Sequence, residues 1–218
     1  MDLDTHMNDY LKEIQSSGYL VLNESHFNFD DNLISNIHNI FNKVRVYENN
    51  LFKEVRYHQQ GTRSVESISD LNKLIKSEEH KKLEDDWFQL WRSANIEEND
   101  WNSINEYLNK ISNTIYNVTP TNINTQYTCF TKGCGIIPHI DKNEHSTDRM
   151  CAILSYFSED WKEEYGGCLR LDDKKTIVPN MGTIVILDFT KNNVLHEVTD
   201  VVADKSRFCL TTFLDYNK

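Results

Sequence analysis

Pro138-His139-Ile140-Asp141 and, far down the chain, His196 are the residues whose types and spacing point most directly to chemistry. Two imidazoles and one carboxylate, in the order His-x-Asp…His, form a donor set suited to a divalent metal such as Fe(II). Bound on one side of the ion, they leave its opposite face open for oxygen and a co-substrate. Residues i and i+2 of an extended segment project the same way, so His139 and Asp141 can reach one ion. His196 would open a strand that the fold returns opposite them. An isolated His-x-Asp is common, and two core histidines beside a turn aspartate would give the same letters. The surroundings decide between these readings.

The elements that must position the donors fall into two textures. Residues 5–17 carry Met7, Tyr10, Leu11 and Ile14 at helical spacing, and Gly18 ends the pattern before a short buried strand, Tyr19-Leu20-Val21-Leu22. Asp30 and Asp31 are candidate caps for a second helix with Leu33, Ile34, Ile37, Ile40 and Phe41 on one face. The polar stretch 44–66, with Arg45, Lys53, Arg56, His58 and Arg63 around Gly61, reads as irregular loop or an edge hairpin. From Ile68 to Arg92 the spacing is helical again: Leu71, Leu74 and Ile75, then Leu83, Trp87, Leu90 and Trp91, the tryptophans as core. A further helix over 100–116 is expected to bury Trp101, Ile104, Leu108, Ile111 and Ile115, and to stop at Thr119-Pro120-Thr121.

After Pro120 the runs become short, β-prone and separated by turn residues: Gln126–Thr131, Met150–Phe157, Cys168–Leu171, Thr176–Val178, Thr183–Leu187, Val194–Val198 and Phe208–Phe213. That pattern predicts an antiparallel barrel or jelly roll. The expectation is an α+β chain forming one domain. Residues 1–120 would be a mostly helical support and 121–218 a β core holding the metal site.

Composition sets limits. The 218 residues suffice for one core without staples. A net charge of −11 repels phosphate backbones, so nucleic acid is not expected as a partner. No basic leader and no apolar run of membrane-spanning length is visible, so a cytoplasmic chain with no membrane partner is expected. Five cysteines (Cys129, Cys134, Cys151, Cys168 and Cys209) with no Cys-x-x-Cys pair read as reduced core thiols.

Several linked signatures surround the donors: Phe130-x-x-Gly133, His139-Ile140-Asp141, a strand ending in Tyr156, Asp160-Trp161, Gly166-Gly167 followed by Leu169, Pro179 with Gly182, His196-Glu197-Val198, and Arg207-Phe208 with Thr211. In this order the region from Phe130 to Phe213 resembles the Fe(II)- and 2-oxoglutarate-dependent dioxygenases, and among them the prolyl-hydroxylase-like branch. The resemblance implies a double-stranded β-helix (jelly roll) with His139, Asp141 and His196 as catalytic iron ligands. It implies 2-oxoglutarate and dioxygen as co-substrates, ascorbate as an optional reductant, and release of succinate and CO2 as a C–H bond is hydroxylated. The carboxylate at Asp141, which related halogenases lack, favours hydroxylation.

The resemblance also assigns the co-substrate pocket. Arg207 would pair with the distal carboxylate of 2-oxoglutarate, since a guanidinium can hold it with two parallel bonds. Thr211, on the same strand face by period two, and the Tyr156 hydroxyl would reach the same group. Tyr127 and Thr128 lie on the strand entering the site, where one of them would line the pocket or both would pack in the barrel wall, and Leu169 completes the set. Phe130 stands where the branch usually has tyrosine, so one pocket hydroxyl is lost. Arg149 falls where related protein hydroxylases place a substrate-contacting arginine, while His145 should face solvent. Arg56, His58 and Arg63 could belong to a lid or to a plain surface loop. The substrate expected is an amino-acid side chain, in a peptide or as the free amino acid, with a small metabolite as competitor. The rival class is a non-catalytic jelly roll that binds or senses a ligand, with oligomeric state open.

Overall fold

Runs such as Met150–Ile153 and Ile184–Leu187 are apolar and buried on both sides, and that dictates a layered structure in which one sheet separates two interiors. A computed structural model describes residues 3–46, 51–57, 89–141, 148–172, 175–190 and 194–216. In chain order the main elements are α1 (Leu3–Ser17), β1 (Tyr19–Asn23), α2 (Asp31–Val46), β2 (Lys53–Tyr57), β3 (Gln89–Ala94) and α3 (Glu98–Tyr116). Then come β4 (Asn122–Phe130), β5 (Gly135–His139), β6 (Arg149–Tyr156), β7 (Leu169–Leu171) and β8 (Thr176–Ile177). The chain finishes with β9 (Thr183–Asp188), β10 (His196–Val198) and β11 (Arg207–Asp215).

The strands run in the order β1-β9-β6-β11-β4-β3-β5-β10-β7-β8, with β2 beside β3. Every ladder among the described strands is antiparallel. The longer strands β1-β9-β6-β11-β4 form one wall and the shorter β5-β10-β7-β8 the other. Both walls contribute side chains to one cavity, which makes the β part a jelly roll. β3 joins the walls, pairing β4 through Arg92–Ala94 and β5 through Gln89 and Leu90.

Alternation on β9 shows how the layers are divided. Ile184 and Ile186 face the helices, packing with Ile37, Phe41, Leu108 and Ile111, whereas Val185 and Leu187 face inward with Leu169 and Tyr156. The helices close only the outer side of the long wall. On α3 the buried set Ile104, Tyr107, Leu108, Ile111 and Ile115 is one stripe at helical spacing, and Asn117 ends the helix in a left-handed conformation (φ 52°). Asp30 caps α2, its Oδ1 accepting the Leu33 amide at 2.8 Å.

Several expectations change. Trp101 is 37% exposed, because it lies at the edge of the α3 stripe and not in it. Leu90 and Trp91 lie on β3, where pairing on both flanks overrides their helical spacing. The rest of the 68–92 prediction falls outside the described residues, as do Gly61, His58 and Arg63. Of the stretch read as loop or edge hairpin, Arg45 belongs to the last turn of α2, and Lys53–Tyr57 is a strand at the side of β3. The first 120 residues are therefore not only support: they place β1 against β9 and β3 between the two walls. All five cysteines are free and buried. Among the described residues, no helix is long and apolar enough to cross a membrane.

The turn before β7 is tight. Gly166 has φ +68°, and a Cβ there would sit 1.9 Å from the Asp200 carbonyl oxygen, a backbone atom that cannot swing away. Gly166→Ala should therefore cost about 3 kcal/mol. Urea unfolding would read this as a lower midpoint at unchanged slope, and an unchanged midpoint would contradict the tight approach.

Candidate active site

His139 closes β5 and His196 opens β10, and the antiparallel ladder sets these two residues directly opposite each other. Their rings lie 4.2 Å apart, centre to centre. Each Nδ1–H donates to a backbone carbonyl two residues earlier, Ile137 O at 2.8 Å and Val194 O at 3.0 Å. That fixes the tautomer and leaves both Nε2 lone pairs free, a common preparation for metal ligation. Asp141 meets them with both oxygens: Oδ1 is 3.3 Å from His139 Nε2 and Oδ2 is 3.5 Å from His196 Nε2. One donor atom from each residue lies within 4.8 Å of the others. Hard oxygen and borderline nitrogen with no thiolate is the chemistry of a divalent iron site, so the residues present fit Fe(II).

Charge in this cluster is held tightly. Burial would raise Asp141, but the facing imidazoles outweigh it and hold its carboxyl at about 2. Burial, helped by the charge of His139, pulls His196 down to about 4. For His139 burial also opposes the proton, yet the hydrogen bond and charge of Asp141 prevail, and its pKa is raised above the ordinary value.

The triad stands in a cavity of about 420 Å³ between the two walls. The long wall presents it with rows set by register: Phe130 opposite Arg207, Thr128 opposite Cys209, and Gln126 opposite Thr211. Ile136, Leu169 and Val198 line it from the short wall. Arg207 is 2% exposed, with its guanidinium 4.6 Å from the Phe130 ring centre and 4.8 Å from that of Tyr156. Neither Arg207 Nε nor Tyr156 Oη has a hydrogen-bond partner. A buried donor left without an acceptor costs about 1–3 kcal/mol. An anionic ligand would remove that cost at Arg207, so this end of the cavity fits a carboxylate. Burial pushes the Tyr156 hydroxyl well above its usual range, against the pull of Arg207, so it stays protonated. Gly167 makes room here, since a Cβ would meet Arg207 Cδ at 3.2 Å.

The residues expected in the pocket are thus mostly gathered. Arg207, Thr211, Leu169 and Arg149 line the cavity with the triad. Tyr156 is not in the lining and lies in the core beside Arg207. Tyr127 is a correction: it faces the helices, edge-on to Phe157 with centres 6.3 Å apart, and its neighbour Thr128 lines the cavity. Thr128 Oγ1 lies 3.0 Å from Thr211 Oγ1, and these hydroxyls form one polar pair on the wall. Gln126, Cys209 and Phe213 escaped the sequence reading. Counting by twos from Thr128 and from Arg207 finds all three. His145 and the side chain of Arg56 lie outside the described residues.

Residues 125–215 match the family model of the 2OG-Fe(II) oxygenase superfamily. No curated protein sequence matches the chain. Among solved structures, a Pseudomonas putida prolyl-4-hydroxylase is similar at 14% identity and a TM-score of 0.64, covering 97% of this chain and 100% of the other. A Trichoplax adhaerens prolyl hydroxylase, in complex with a peptide fragment of the hypoxia-inducible factor oxygen degradation domain, is similar at 16% identity and TM-score 0.64, with 98% and 90% covered. A 2OG-Fe(II) oxygenase family oxidoreductase from Burkholderia pseudomallei is similar at 14% identity and TM-score 0.60, with 97% and 92% covered. Residues 125–215 thus resemble the 2OG-Fe(II) oxygenase superfamily, and the chain as a whole has the fold of these prolyl-hydroxylase-like structures.

Metal entry requires a free Nε2 on His139, whose raised pKa means that a proton competes for it. Falling pH favours that proton and must weaken binding, while His196, at about 4, is already neutral and adds nothing near neutrality. Apparent Mn(II) affinity should rise up to about tenfold per pH unit below the pKa of His139 and level off above it, with at most one proton released. Calorimetry in two buffers of different ionisation heat counts that proton, and binding independent of pH would contradict the assignment.

Proposed function

We propose that the chain hydroxylates an amino-acid side chain, using Fe(II) held by His139, Asp141 and His196 and 2-oxoglutarate anchored at Arg207. The observation that carries this reading is the buried guanidinium of Arg207, with an unpartnered Nε, in the same cavity as the His-Asp-His cluster. Arg207 would hold one carboxylate of 2-oxoglutarate, and the triad that lines the same cavity would hold the iron. When bound, Fe(II) and 2-oxoglutarate supply oxidation of a C–H bond by dioxygen, with decarboxylation to succinate and CO2.

The chain's own residues bind, orient and exclude water. Phe130 and Tyr156 flank the Arg207 guanidinium and limit its swing, so less freedom is lost when a carboxylate arrives. Thr128 and Thr211 offer hydroxyls along the wall, and Leu169, Val198 and Ile136 keep the opposite side apolar. The apolar side strengthens the Arg207–carboxylate attraction by lowering the local dielectric.

An amino-acid side chain is favoured as substrate because the similar structures include prolyl hydroxylases, one of them holding a peptide. Peptidyl proline is the first candidate and a free amino acid the second.

Anaerobic titration of the Fe(II)-loaded protein with 2-oxoglutarate should raise a weak visible charge-transfer band. Arg207→Ala should weaken that titration about a hundredfold. Asp141→Ala should abolish succinate release. With iron demonstrably bound, absence of the band in the wild-type protein would remove the co-substrate assignment.

A further inference from the structure

Asp141 is the one member of the triad without a strand beneath it. His139 and His196 are carried by the β5–β10 ladder, whereas residues 140 and 141 lie beyond the end of β5. One hold on the Asp141 backbone comes from the long wall: Arg149 Nη1 donates to the Asp141 carbonyl oxygen at 2.8 Å.

Arg149 is itself braced. It starts β6 opposite Asp215 of β11, and its guanidinium carbon lies 3.9 Å from the centre of the Phe213 ring. Phe213 belongs to the cavity face of β11, six positions beyond Arg207, so the brace rests on the same strand that carries the Arg207 end. Arginine suits this task for a geometric reason: its planar head can lie against a ring while its N–H bonds point outward in the plane. Lysine has a donor but no flat face, and methionine fills the space but has no donor.

We infer that Arg149 is a positioning residue, a strut from β6 and β11 that fixes the Asp141 backbone so that its carboxylate meets both histidine Nε2 atoms. The inference rests on the iron-site reading above and assigns Arg149 a task that needs no substrate. The strut should govern metal affinity directly.

The test uses the full chain with Mn(II), followed through the signal of the free ion, and with Co(II), whose visible bands report ligand geometry. Arg149→Met should weaken Mn(II) binding about tenfold to a hundredfold and shift the Co(II) bands. Arg149→Lys should restore part of the affinity. Phe213→Leu removes the brace and should weaken Mn(II) binding by a smaller factor, and adding it to Arg149→Met should cost nothing further, because both act through one path. Wild-type affinity and an unshifted Co(II) spectrum in Arg149→Met would overturn the inference alone. Should that variant not fold, wild-type affinity in Phe213→Leu would overturn it equally. Failure of the unsubstituted chain to take up either ion would overturn the metal-site reading, and this inference with it.

Discussion

The pairing of β10 with β5 is the constraint on which the site depends. It fixes His196 opposite His139 through backbone hydrogen bonds, before any metal is considered. On the far side of β10, Val198 pairs with Leu169 and His196 with Leu171, so the same ladder that sets the histidines also sets the apolar wall beside them. Between those inward residues Glu197 turns outward to Arg170 at 3.1 Å, a half-solvated pair that adds little stability but agrees with the register. A slip of one residue would carry both His196 and Val198 out of the cavity.

Two kinds of preorganisation follow from this frame. At the donor end, the Nδ1 hydrogen bonds to Ile137 and Val194 spend no side-chain partner, since strand backbone serves as the outer support of the ligands. At the other end, Arg207 is held by aromatic faces, with a buried N–H left for a guest. The first arrangement sets which atoms can bind a cation, and the second leaves an unmet demand for an anion. Opposite charge preferences within one cavity of about 420 Å³ suit the proposed co-substrate, whose two ends differ in the same sense.

Much of this was legible in the chain because it depends on short-range periodicity. His139 and Asp141 are two apart, and Arg207 and Thr211 are four apart on a strand, so parity alone puts each pair on one side. Tyr127 was not legible for the same physical reason that β9 is informative: Tyr127 to Phe130 are all buried, so polarity gives no clue to which face looks at the cavity. β3 was hidden because Leu90 and Trp91 fit a helix locally, and only the space between β4 and β5 makes them extended. The outward position of Trp101 likewise depends on where the sheet ends beneath α3, a tertiary fact absent from residue spacing.

The position of β11 in the sheet has a consequence for how the chain is made. It leaves the ribosome well after β4 and β6, yet it lies between them in the middle of the long wall. Until it arrives, β4 and β6 each expose an open edge with unpaired amides and carbonyls, and an incomplete chain is a template for pairing with its neighbours. The element that delivers Arg207 therefore also closes the wall. During synthesis, the cavity's arginine and protection from edge-to-edge aggregation appear together, with that strand.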